Sequence, residues 1–155
     1  MNASLDDIKT YLDSHIEAEL VQLESELSVT IPRIASEDTA DLTDRQYPSL
    51  EILPDSTNVV YIHPEGPADR DAWDVHSISL LLTMSGQDSK SVEYSLLYYR
   101  RAWVRIIRDD NTFGGLFNYV KLRQTQYWPM VQSQKTRKVL QTMRQNIEVR
   151  KYQTS

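Results

Sequence analysis

The chain contains no cysteine among its 155 residues. That absence removes disulfides, thiolate zinc sites and thiol nucleophiles together, and it suits a reducing compartment. Long apolar runs are missing too. The longest aliphatic run is three residues, as at Leu80–Leu82, against the roughly 20 that a bilayer-spanning helix takes. The opening "MNASLDDIKT" has no basic region followed by an apolar stretch, so it does not read as a signal peptide. Glycine occurs four times, and never in a GxxxxGK[ST] phosphate loop. No GxSxG nucleophile elbow is present either. The histidines, His15, His63 and His76, fall at neither HxH nor HExxH spacing. No metal site is legible from them, and they read as neutral surface or half-buried side chains.

What is present is the composition of an ordinary globular chain, 40% hydrophobic and 25% charged. Its length fits one domain over residues 1–155. A domain of this size buries roughly 68–70% of its unfolded surface. The net charge of −5 hides a gradient. Met1 to Val75 carries −13, His76 to Gly115 carries +1, and Leu116 to Ser155 carries +7. Such asymmetry fits solvated faces of opposite sign, an acidic half meeting a basic half between subunits, or a basic face for nucleic acid.

Leu5, Ile8, Leu12, Ile16, Leu20, Leu23 and Leu27 recur at three- and four-residue spacing and predict one amphipathic helix. Ser4 is the expected cap, with Asp6 and Asp7 in the first turn. The polar stretch "SVTIPRIASEDTADLTDRQ" loses that period and reads as a long connection, with a short extended piece at Val29–Ile31. "YPSLEIL" predicts a strand closed by Pro54, which "TNVVYIH" continues or pairs with. "PEGPADRDA" reads as a mobile surface loop.

In "WDVHSISLLLTMSG", His76, Ile78, Leu80, Leu82 and Met84 alternate with Ser77, Ser79 and Thr83, the pattern of a half-buried strand. Val92, Leu96, Tyr99, Trp103, Ile106 and Ile107 then form the apolar face of a second helix. Its later turns carry Arg100, Arg101, Arg105 and Arg108. "FNYVKLRQTQYW" and "TRKVLQTMRQNIEVRKY" alternate with period two and predict a hairpin. In the second of these, Val139, Met143, Ile147 and Val149 share a side. The order α-β-β-α-β-β predicts an α+β fold, with an antiparallel or mixed sheet of about four to five strands packed by two main helices.

Chemistry-bearing patterns are weak. Asp109-Asp110 has the oxygen ligands that Mg²⁺ takes, but adjacent residues do not face the same way. "DDNTFGG" instead reads as a helix stop, with Asn111 and Gly114 suited to left-handed or turn conformations. "IEVRK" is a poor match to an acidic-x-lysine nuclease strand, because Arg150 stands at the basic position. Aromatics and bases interleave at Tyr98 to Trp103 and at Arg123, Tyr127 and Trp128, as in surfaces that stack bases and neutralise phosphates. Tyr99 and Trp103, however, belong to the stripe that faces the core.

The string "IIRDDNTFGGLFNYVKLRQTQYW" resembles the segment of bacteriophage tail terminator (tail completion, head-tail joining) proteins where a long helix ends in an acidic residue and a "LGG"-like turn. "DRQYPSLEIL" resembles that family's first strand, and "WDVHSISLLLTMSGQDS" its tryptophan-led second strand. The resemblance covers nearly the whole chain and rests on the order and spacing of these elements. It implies a structural, non-enzymatic virion protein with no cofactor and no metal. Such a protein forms a ring, usually a hexamer, that caps the tail tube, ends its polymerisation and joins the head connector or stopper at the neck. DNA passes through its lumen without specific binding. On this reading the expected subunit or partner contacts are Arg100, Arg101, Arg105, Arg137, Lys138 and Arg144. Another adaptor or stopper, or a nucleic-acid-binding α+β module, are the alternatives.

Overall fold

The first apolar stripe becomes α1 (Asn2–Leu27), with Ile8, Leu12, Leu20 and Leu23 buried and Leu27 at its exposed end. A computed structural model describes residues 2–34, 47–61, 72–134 and 136–153. Most of the expected polar connection, the "PEGPADRDA" loop up to Asp71, and His63 lie outside those residues. Helix α1 begins ahead of Ser4, so Ser4 stands inside it rather than capping it, and no acidic residue falls in its first turn. Beyond the helix, Arg33 folds back to donate to Glu17 (2.8 Å) and Glu24 (2.6 Å), and Ile31 is buried.

Helix α2 (Ser89–Asp109) starts where the side chain of Asp88 accepts from Ser91 N at 2.8 Å, satisfying one of the helix's free amides. Its buried face is Val92, Leu96, Tyr99, Trp103, Ile106 and Ile107, as the spacing predicts. Tyr99 and Trp103 meet edge to face at 6.3 Å. The Tyr99 hydroxyl donates to the carbonyl of Pro32 at 2.7 Å, pinning the chain beyond α1 against α2.

The strands are β1 (Ser49–Tyr61), β2 (Ala72–Gly86), β3 (Tyr119–Tyr127), β4 (Val131–Gln132) and β5 (Val139–Gln153). They pair antiparallel in the order β1-β2-β5-β3, with β4 also on β5, so the fold is α+β with a five-stranded antiparallel sheet. Pro54 does not close β1. The strand runs through it with a register shift between Pro54 and Ser56. A proline is tolerated there because β1 is an edge strand, where its missing N–H leaves no ladder bond unmade.

Both helices lie on one side of the sheet. Ile78, Leu80, Leu82 and Met84 of β2 and Met143, Ile147 and Val149 of β5 face them and are buried. Gln145 lies among these residues, 0% exposed. It is kept there by hydrogen bonds. Its amide donates to the carbonyls of Arg123 (3.2 Å) and Asn146 (2.9 Å), and its carbonyl accepts from Thr125 Oγ1 (2.5 Å). These bonds hold the register shift in β3 between Leu122 and Thr125. An unsatisfied amide at this position would be costly.

Candidate functional site: the bare face of the sheet

The opposite face of the sheet has no described helix over it. Period-two alternation puts Ser77 and Ser79 of β2, Arg144, Asn146, Glu148 and Arg150 of β5, and Lys121 and Arg123 of β3 on this side. Asp55, beside the β1 register shift, is the hub of one network. It accepts from Ser79 Oγ (2.5 Å), Arg144 Nη2 (2.9 Å) and Asn146 Nδ2 (2.8 Å). Arg144 Nε also donates to Ser79 Oγ at 2.8 Å.

Glu148 anchors the second network, taking Arg123 Nη2 and Arg150 Nε at 3.0 Å each. Burial pushes the Glu148 carboxyl up, but the hydrogen bonds from Arg123 and Arg150 outweigh it and hold the group below its ordinary value. These side chains line a depression of ≈ 770 Å³ from Asp55 and Ser77 to Glu148. It shares Lys121, Arg123 and Glu148 with a second depression of ≈ 520 Å³ that ends on Trp73, Tyr119 and Arg150. The arrangement is a concave, ionic surface with oriented guanidinium groups and two clamped carboxylates. Among the described residues no group of histidines and carboxylates is placed to hold a metal ion.

The expected contact residues divide among three places. Arg100, Arg101 and Arg105 lie on α2. Arg100 Nε donates to Thr125 Oγ1 at 3.0 Å, and Arg105 pairs with Glu26 of α1 at 2.8 Å. Arg137 and Lys138 form the exposed turn between β4 and β5, where Arg137 takes a left-handed φ of 59°. Arg144 alone of the six is on the bare face. The sequence-level charge gradient is therefore partly neutralised within one chain, because Glu26 and Asp55 of the acidic half hold Arg105 and Arg144.

Sequence reasoning missed Asp55, Asn146, Glu148 and Arg150 as one surface. The signal was available in the polar positions of the two long alternating strands, but it takes the strand pairing to bring Asp55 to Arg144.

The acidic pair at the end of α2 acts as a helix stop. Asp109 faces Arg108, whereas Asp110 caps the helix. The Asp110 carboxylate accepts from Thr112 Oγ1 (2.7 Å), Thr112 N (3.0 Å), Gly114 N (2.8 Å) and the Tyr11 hydroxyl (2.9 Å). Those bonds, the Thr112 ones first, hold it far below the usual carboxylate range. Burial, together with the Asp110 contact, pushes Tyr11 up to about 12. Asn111 lies in the turn and Gly114 takes a left-handed φ, as the sequence suggests, and Phe113 and Gly115 are left-handed as well. Phe113 accepts that conformation while buried and stacked on Tyr11 at 4.5 Å.

His15 stacks on the Tyr11 ring, and its Nδ1 lies 2.8 Å from the carbonyl of Tyr11. His76 Nδ1 lies 2.9 Å from Thr57 Oγ1, and burial lowers its pKa. No described helix is long and apolar enough to cross a membrane. Neither a protein-family model nor a curated protein matches the chain.

Proposed function

We propose that this chain is a non-enzymatic structural protein of a tailed-bacteriophage virion. It forms a ring, a hexamer by family resemblance, that caps the tail tube, ends tube polymerisation and joins the tail to the head connector or stopper at the neck. The observation that carries the reading is the element order α-β-β-α-β-β, together with segments from the first strand to the strand after the "FGG" turn that resemble those of tail terminator proteins. Two features of the fold support it: a sheet with one side free of described helices, and edge strands on both flanks. A unit of this kind has surfaces left over for neighbours. Its partners are then further copies of itself, the tail tube protein and the neck protein, with duplex DNA passing through the lumen without specific binding.

Light scattering after size exclusion tests the reading, with purified tail tubes added in a second arm. The expected result is a ring, a concentration-dependent equilibrium towards one, or capping of tube ends that stops their growth. A stable two-fold dimer that ignores tubes would overturn it, as would tight duplex binding at near-physiological salt. An adaptor or stopper would instead bind the neck protein and leave tube length unchanged.

A further inference from the structure

We infer that two copies of this chain meet with the outer side of α1 from one against the bare sheet face of the next. The inference rests on the ring reading above and names the surfaces that would build the ring. Helix α1 carries seven acidic residues and one lysine. Asp7, Thr10, Ser14, Glu17 and Val21 follow one another along its exposed side, flanked by Asp6 and Asp13. Arg33 and Arg105 hold Glu17, Glu24 and Glu26, whereas Asp6 and Asp7 have no ion pair among the described residues.

On the other side of the sheet, Lys121, Arg123, Arg144 and Arg150 outnumber Asp55 and Glu148. Lys121 carries no ion pair among the described residues, and Arg123 and Arg150 each have guanidinium N–H groups beyond the one that Glu148 takes. The bare face is concave and a helix is convex, so shape and sign match together.

Like meets unlike in this contact, and the two surfaces lie on opposite sides of one molecule. It is therefore heterologous, the kind that closes into a ring or runs on as a filament according to its rotation. A two-fold dimer would bring like charges together instead. The contact also leaves the turn at Arg137 and Lys138 outside the pairing, free for the tube or the neck.

Charge exchange tests it. One variant carries Asp7→Lys and Asp13→Lys, the other Lys121→Glu and Arg123→Glu. Circular dichroism and melting establish that each folds. Each alone should self-associate about tenfold more weakly than the parent or worse, in sedimentation at low salt. Their equimolar mixture should restore association, because the lysine-bearing helix of one variant then meets the glutamate-bearing sheet of the other, and the two unaltered faces meet each other. The parent's association should also weaken as salt rises.

Parent assembly with no rescue in the mixture would overturn this contact and leave the ring reading standing. A parent that never associates, even on tube ends, would overturn both. Should either variant fail to fold, carbodiimide coupling of mixed light and heavy-isotope parent chains replaces it. Lys121 joined to Asp6, Asp7 or Asp13 of another chain is expected. Inter-chain products that all lie elsewhere would overturn the contact.

Discussion

The two faces of the sheet are built from the same strands, yet they follow opposite rules. Towards the helices, β2 and β5 present Ile78, Leu80, Leu82, Met143, Ile147 and Val149, and Gln145, fully buried among them, has its hydrogen bonds made. On the other face Ser77, Ser79, Arg144, Asn146, Glu148 and Arg150 stand among a few apolar side chains, and partly exposed carboxylates clamp arginines. Burial of apolar surface decides the first face, at roughly 25 cal/mol per Å² removed from water. The second contributes little to folding, because exposed ion pairs are worth about 0–1 kcal/mol.

The comparison predicts its largest effect on the helix side. Trp103 is 1% exposed and packs against Tyr99 at the centre of the core. Trp103→Ala should lower stability by about 3–5 kcal/mol, the range for large aromatic truncations in cores. Chemical denaturation reads this directly. A variant that unfolds like the parent would mean that α2 presents a different face to the sheet.

How far this division was legible in the sequence follows from the physics of each element. The helical stripes and the alternation in β2 and β5 are local patterns, and they foretold α1, α2, the element order and most of the core. Tyr99 and Trp103 read correctly as core because their spacing from Val92 and Leu96 leaves them no other face. Pro54 misled because a proline ends a central strand but not an edge strand, and edge position is a property of the whole sheet. The left-handed backbone of Phe113 was not legible, because it is held by a buried, stacked ring rather than by a residue type that favours that conformation. The bare face was the least legible part. Its contacts join residues as far apart in sequence as Asp55 and Arg144, and no local pattern encodes such a pairing.

A middle-sized effect belongs to Gln145, the residue that breaks the rule of its face. Leucine would fill a similar volume and suit the apolar neighbours, so simple burial bookkeeping favours the exchange. The hydrogen bonds argue the other way. Gln145→Leu would remove the acceptor of the Thr125 hydroxyl, which keeps only the bond from Arg100, and a donor to the Arg123 carbonyl at the β3 register shift. Each buried group left unmade costs about 1–3 kcal/mol. The expected outcome is a net destabilisation within that range, together with faster amide hydrogen exchange along β3. A neutral or stabilised variant would erase the distinction between Gln145 and its apolar neighbours.

The smallest effect should come from the bare face itself. Asp55 and Arg144 are 2.9 Å apart, with side chains 23% and 38% exposed. Removing Arg144 does not strand the carboxylate, because Ser79 and Asn146 still donate to it. Removing Asp55 leaves Arg144 its bond to Ser79 and access to water. A double-mutant cycle with Asp55→Ala and Arg144→Ala should therefore give a coupling of about 0.5–1 kcal/mol in the isolated chain. Added salt should reduce it, since a pair this open to solvent is screened. The same cycle measured on assembly rather than folding should give a larger coupling, because a docked neighbour excludes water from the pair. Couplings that are equal in the two measurements would mean that no partner covers this face.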